Sequence, residues 1–144
     1  MNKLEEFFLS IKGKKITVLG IGISNRPLID LLVSKGAAVT ACDKQSFEAL
    51  GEDALSLSQK GVKLVLGEHY LDDLDADLIV KTPGMRIDLP QLVKAKQAGA
   101  CITSEMELFF QLCPCKTIAV TGSDGKSTTT AIINELLMNA GYKT

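Results

Sequence analysis

The 144-residue sequence has no tryptophan, only five phenylalanines and two tyrosines, and 16 Lys and Arg balanced by 17 Asp and Glu to a net charge of −1. Non-specific binding of nucleic acid depends on a surplus of positive charge, and binding of single strands depends on aromatic side chains that stack on bases. This composition supplies neither. We therefore expect no nucleic-acid partner.

The chain also lacks an apolar stretch of the ~18 residues that a membrane-spanning helix needs. Its N-terminus lacks the basic region and the apolar core of a signal peptide. Histidine occurs once, at His69, and Cys113 and Cys115 directly flank Pro114. That spacing suits neither a redox motif nor a zinc site. We expect a cytoplasmic protein with no membrane partner and no metal held by cysteine or histidine.

What the sequence does contain is a regular alternation of short apolar runs and segments of helical periodicity. Repeated strand–helix units with short connections produce parallel strands with helices on both faces of the sheet. One helix is expected over 47–57, where apolar residues recur at helical spacing. The predicted fold class is α/β, a Rossmann-like parallel sheet. Its predicted strands are 15–19, 38–42, 62–66, 77–81 and 101–102, with a sixth at 116–120.

A glycine-bounded turn follows the sixth predicted strand and leads into the last helix. Backbone N–H groups of such a turn, and the first turn of the helix, suit a polyphosphate. Lys126 would place a positive charge on the β- and γ-phosphates, and the Ser127 hydroxyl is suited to ligate Mg²⁺. The alternative is a surface turn that happens to contain Gly-Lys-Ser. The strand-turn-helix context favours a nucleotide site. Its expected phosphate-binding residues are Gly122, Ser123, Asp124, Gly125, Lys126, Ser127 and Thr128.

A second candidate nucleotide site follows the first strand. Gly20 and Gly22 stand where a dinucleotide fingerprint has its first two glycines, and Asp43 ends the second strand 23 residues after Gly20. An acidic residue at that place usually meets a ribose. The third glycine of the fingerprint is replaced by Asn25. The pattern indicates a nucleotide, with NAD as one option and a plain strand-to-helix turn as the alternative.

The motif T-G-x-x-G-K-[ST]-T, at residues 121–128, resembles the ATP loop of the Mur ligases, the amide-forming enzymes of peptidoglycan precursor synthesis. The turn at 20–25 is similar to the G-x-G-x-[ST]-G turn of that family, with Asn25 as the departure. Thr82-Pro83-Gly84 resembles the S-P-G turn of the family, and 104–109 is similar to the segment that leads into its ATP loop. The resemblance covers residues 14 to 140, and the D-glutamate-adding branch fits best.

The resemblance implies that the first domain holds the UDP part of a substrate. Ile23 and Ser24 would contact the diphosphate. Asp43 and Lys44 would lie beside the uracil and ribose. The expected UDP-substrate residues are Ile23, Ser24, Asn25, Asp43, Lys44, Thr82, Pro83 and Gly84.

The same resemblance implies a domain boundary and a reaction. Residues 1–114 would bind the UDP-substrate, and 115–144 would be the truncated start of the ATP-binding central domain. The parent ligase would use ATP and Mg²⁺ to join D-glutamate to UDP-N-acetylmuramoyl-L-alanine. The chain alone is expected to be inactive, because the other catalytic residues would lie beyond Thr144. Asp124 stands where the family more usually has Asn, and its charge should weaken ATP binding.

Three further expectations concern the alternatives and the chain end. An NAD-binding regulatory domain would not need Gly-Lys-Ser-Thr at a second helix start. A self-contained P-loop phosphotransferase would need a later acidic strand for Mg²⁺, and only 16 residues follow Thr128. The apolar side chains of 117–140 would lack their intended neighbours. We expect that segment to pack beside the fifth strand or to pair with another chain.

Overall fold

Five parallel strands form the sheet of the computed structural model, which describes residues 2–144. The strands are β1 Lys15–Leu19, β2 Ala38–Asp43, β3 Lys63–Leu66, β4 Leu78–Lys81 and β5 Cys101–Ser104. All four pairings are parallel, so the prediction of an α/β fold with a parallel sheet is confirmed. The chain forms two compact units, Met1–Pro114 and Cys115–Thr144, and the whole sheet belongs to the first.

The strand order β3-β2-β1-β4-β5 determines where a ligand can bind. From β1 the chain moves outward through β2 to β3, then crosses back to place β4 on the other side of β1. Leu19 is paired with Lys81 in the β1–β4 register, so these two strands end side by side. In open parallel sheets ligands bind outside the carboxyl ends of the strands at such a reversal.

Seven helices accompany the sheet in residues 2–144. Those of the first unit are α1 Lys3–Ser10, α2 Asn25–Ser34, α3 Phe47–Leu50, α4 Glu52–Gln59, α5 Pro90–Gln97 and α6 Glu105–Leu112, and the second unit contains α7 Lys126–Asn139. None of these helices has the length and apolar character that crossing a membrane requires.

The core lies on both faces of the sheet. Successive residues of a strand point to opposite faces. Val18 packs in one buried cluster with Ile29 of α2, while its neighbour Leu19 packs in the other with Leu92 of α5. All four side chains are fully buried. The sheet is thereby covered by apolar side chains on both of its faces.

The single helix predicted over 47–57 is instead two helices, and that prediction was wrong. Gly51 separates α3 from α4 with φ +53° and ψ −123°, a conformation that no α-helix can continue through. The apolar spacing runs through the break because Leu50, Ala54 and Leu57 all pack into the same cluster.

The predicted sixth strand at 116–120 is also absent: these residues form no strand in the described part of the chain. A strand requires a hydrogen-bonded neighbour, and β5 pairs only with β4. The predicted helix after it is present as α7, which has no buried residue.

Candidate functional site

The turn that follows β1 closely contacts the residue that follows β4. Gly20 has φ +94°, and a Cβ built on it would lie 2.5 Å from Cγ2 of Thr82. No real Cβ comes so close to another carbon, and L-residues avoid this φ. The sequence at position 20 is therefore restricted to glycine, and this glycine lets the carboxyl ends of β1 and β4 meet.

Two polar side chains, both predicted as site residues, are buried beneath this β1–α2 turn (residues 20–24). The Asn25 carboxamide Nδ2 donates to the carbonyl oxygen of Gly20 at 2.8 Å and to that of Leu19 at 3.4 Å. Asp43 Oδ2 accepts the N–H of Ile21 at 2.7 Å, and its Oδ1 accepts the N–H of Gln45 at 2.9 Å. Asn25 is 3% exposed and Asp43 is 7% exposed. Both side chains therefore support the turn from inside.

The outer side of the same turn carries unsatisfied hydrogen-bond donors. The N–H groups of Gly22, Ile23 and Ser24 donate to no acceptor among residues 2–144. All three residues are exposed, and the Ser24 side chain makes no capping bond to α2. Free N–H groups at the positive end of a ten-residue helix attract an anion. The predicted diphosphate residues Ile23 and Ser24 thus lie where an anion would be favoured.

A groove of about 410 Å³, here called the edge groove, opens beside the turn at the carboxyl ends of the strands. It brings together four of the predicted residues, Asp43, Lys44, Thr82 and Gly84, but neither Pro83 nor residues 23–25 line it. Gly20 lines the groove and belongs to the turn, so the two features are continuous. The complete lining is Gly20, Asp43, Lys44, Tyr70, Thr82, Gly84, Met85, Arg86 and Leu89.

Sequence reasoning missed part of this lining. Tyr70, Met85 and Leu89 give the groove apolar and aromatic surface, and Arg86 gives it a second cation beside Lys44. The N–H of Met85 donates to the carbonyl oxygen of Thr82 at 3.0 Å, which closes the 82–85 turn and brings the following residues back to the sheet edge. The Pro-Gly dipeptide was the signal that could have extended the site beyond Gly84.

The charges of the edge groove are mixed. Arg86 Nε donates to Asp88 Oδ1 at 2.9 Å, and this hydrogen bond raises the pKa of Arg86 and lowers the pKa of Asp88. The pair is exposed, so salt and solvent screen it. An exposed ion pair is exchanged easily for a ligand phosphate or carboxylate, and the groove can therefore accept an anionic group without breaking a buried pair.

Two features could give the first unit a reactive centre, a reactive thiol and a metal-binding cluster of side chains. The one buried thiol, Cys42, has its pKa raised to about 11 by burial, so it stays protonated near neutral pH. Within residues 2–144 no cluster of His, Cys, Asp and Glu side chains is arranged to hold a metal. The edge groove is lined by neither histidine nor cysteine.

The predicted phosphate loop, residues 122–125, is hydrogen-bonded to the side chain of the residue that follows it, Lys126. Lys126 Nζ donates to the carbonyl oxygens of Gly122 at 2.6 Å and Ser123 at 3.0 Å. Gly125 caps α7 in a left-handed conformation with φ +76°, and no side chain caps the helix. The N–H groups of Lys126, Ser127 and Thr128 consequently have no acceptor among the described residues. These donors and the lysine fit a phosphate group, once the ammonium turns from the carbonyls to the ligand.

Residues 14–104 match the family model described as the N-terminal domain of MurD-like Mur ligases. The chain belongs to this family. The matched segment of this MurD-like chain contains all five strands, and with them the β1–α2 turn and the edge groove. The resemblance to Mur ligases is thereby confirmed for the first unit.

Curated relatives extend the similarity over the second unit of the MurD-like chain. The UDP-N-acetylmuramoylalanine–D-glutamate ligase of Clostridium novyi (strain NT) is 57% identical over 144 residues, and that of Clostridium botulinum (strain Loch Maree / Type A3) is 58% identical over 144 residues. Each comparison covers 99% of this chain and 31% of the relative. The chain thus spans about a third of the length of these relatives.

Solved structures of other Mur-type ligases share the fold. The UDP-N-acetylmuramate-alanine ligase MurC of Thermotoga maritima is 30% identical with a TM-score of 0.57, over 87% of this chain and 29% of that one. The murein peptide ligase of Psychrobacter arcticus is 29% identical with a TM-score of 0.58, over 90% of this chain and 27% of that one. The MurD-like chain therefore shares its fold with a part of these larger ligases.

Proposed function

We propose that this chain is the N-terminal part of the ATP-dependent ligase that joins D-glutamate to UDP-N-acetylmuramoyl-L-alanine in peptidoglycan precursor synthesis. Its first unit binds the UDP moiety. The observation that carries the proposal is the β1–α2 turn, with free N–H groups at 22–24 beside a partly apolar groove at the strand reversal. The high identity to ligases of that name supports the choice of substrate. We expect this enzyme to act in the cytoplasm.

Each part of the UDP moiety has a chemically suitable partner in this proposal. The N–H groups of Ile23 and Ser24 and the Ser24 hydroxyl donate to the diphosphate. Lys44 and the Asp43 carboxylate form hydrogen bonds with the ribose and uracil. The Asp43 oxygens can do so because they keep lone pairs after accepting two backbone N–H groups. Thr82-Pro83-Gly84 closes over the uracil. An aromatic base can pack against the apolar lining that Tyr70 and Leu89 supply.

The second unit contributes the phosphate loop for ATP and Mg²⁺. ATP supplies the phosphoryl group that activates the substrate carboxylate. The backbone donors of the loop and of the start of α7 would hold phosphate oxygens, Lys126 would stabilise the transferring phosphoryl group, and the Ser127 hydroxyl would ligate Mg²⁺. Asp124 adds a negative charge to the loop, which lowers ATP affinity. We expect no ligase turnover from the chain alone, because it spans only about a third of the length of the related ligases.

Calorimetric titration tests the proposal against an NAD-binding regulatory domain. UDP-N-acetylmuramoyl-L-alanine and NADH are titrated separately into the 144-residue chain. The proposal expects binding of the UDP-substrate and weaker or no binding of NADH, because Asn25 occupies the position of the third fingerprint glycine. Tighter binding of NADH than of the UDP-substrate contradicts it.

A further inference from the structure

The peptide unit between Gly20 and Ile21 is held at both of its polar groups. Its carbonyl oxygen accepts Nδ2 of Asn25 at 2.8 Å, and its N–H donates to Oδ2 of Asp43 at 2.7 Å. A peptide unit is planar, so fixing both groups fixes its rotation about the chain. Gly20, at φ +94°, would otherwise leave this unit free to turn over. The two buried side chains together remove that freedom.

Asn25 has no counterpart in a dinucleotide fingerprint, where glycine at this place lets the helix pack closely on the strand. Here the side chain itself fills the space, and the same Nδ2 also donates to the Leu19 carbonyl oxygen at 3.4 Å. Both acceptors are carbonyls, so the nitrogen of the amide must face them. An aspartate of the same shape would present an oxygen to two carbonyl oxygens and repel them.

We propose that Asn25 is a positioning residue for diphosphate recognition: with Asp43 it fixes the Gly20–Ile21 peptide and so holds the N–H groups of 22–24 toward the ligand. This inference rests on the proposed function. It differs from a contact role, because Asn25 is buried and acts through the turn. It also predicts a selective defect. Loss of the Asn25 amide weakens recognition of the phosphates and leaves recognition of the nucleoside intact.

The test compares UDP with uridine, titrated into the 144-residue chain and followed by NMR. Asn25→Asp and Asn25→Gly are measured beside the unsubstituted chain. Asn2→Gly is the matched control, because Asn2 also begins a helix and its Oδ1 accepts the N–H of Glu5 at 2.8 Å. Thermal unfolding of each variant reports its general stability separately. If Asn25→Asp does not fold, Asn25→Gly still provides the comparison.

We expect both Asn25 variants to bind UDP about fivefold to tenfold more weakly, the effect of one or two lost hydrogen bonds. Their affinity for uridine should change by less than about twofold, and Asn2→Gly should alter neither affinity. An equal loss for UDP and uridine, or no loss for either, overturns the inference and leaves the proposed function standing. If the unsubstituted chain binds neither UDP nor its substrate form, both fail.

Discussion

Replacing Gly20 with alanine tests the contact between the ends of β1 and β4 on which the site depends. The new Cβ would lie 2.5 Å from Cγ2 of Thr82. The alanine would also have to adopt φ +94°, which L-residues avoid. The backbone conformation costs about 1–2 kcal/mol, and the overpacking costs about 1–3 kcal/mol more. We expect Gly20→Ala to lower the free energy of unfolding by about 2–5 kcal/mol and to weaken UDP binding as well.

Two further variants separate the steric contribution from the backbone contribution. Gly61 has φ +79° and no atom within 4 Å of an added Cβ, so Gly61→Ala has the backbone cost alone. Thr82→Ser removes the Cγ2 methyl and should recover most of the steric cost when combined with Gly20→Ala. Urea unfolding, followed by circular dichroism, gives the free energy of unfolding of four proteins: the unsubstituted chain, Gly20→Ala, Gly61→Ala and the double variant Gly20→Ala/Thr82→Ser. The reasoning is refuted if Gly20→Ala costs no more than Gly61→Ala, or if Thr82→Ser gives no recovery.

Three other predictions concern a buried thiol, the phosphate loop and α7. Because burial raises the pKa of Cys42 to about 11, Cys42 should resist a thiol reagent at pH 8 while the exposed Cys101 reacts. Mass spectrometry of the folded chain measures the labelling, and early labelling of Cys42 would contradict the prediction. Lys126→Met should abolish binding of ATP, measured by calorimetry, without changing the affinity for UDP. Loss of binding of both ATP and UDP would contradict this prediction. Leu136 is 64% exposed and Ile132 is 55% exposed, so the chain should self-associate as its concentration rises. Leu136→Glu should keep it monomeric in sedimentation, and equal association of both proteins would exclude α7 as the contact.

The sequence was sufficient to predict the features that depend on local patterns. Continuous apolar runs marked β1 and β4 because a parallel sheet covered on both faces buries both sides of its strands. Turn residues follow directly after these strands, so Gly20 and the Thr82-Pro83-Gly84 turn marked the carboxyl edge of the sheet. The family resemblance then linked these turns into one candidate site.

The features that depend on distant partners could not be predicted in this way. Residues 116–120 read as a strand, but pairing with a neighbour decides whether a strand forms, and none of the described residues provides it. Asp43 was expected beside a ribose, but the two hydrogen bonds that its carboxylate accepts from the N–H groups of Ile21 and Gln45 were not predicted. Asn25 was noted only as a departure from glycine. Its hydrogen bonds to the carbonyl oxygens of Leu19 and Gly20 become evident only once the turn is folded.

The claim that the β1–α2 turn and the edge groove form the UDP site is tested most directly by mapping bound UDP on the chain. Amide spectra of ¹⁵N-labelled protein are recorded as UDP is added. The account predicts the largest shifts at Gly22, Ile23 and Ser24, with further shifts at Lys44 and Gly84 in the groove. Shifts confined to residues 122–128, or no shifts at saturating UDP, would contradict it.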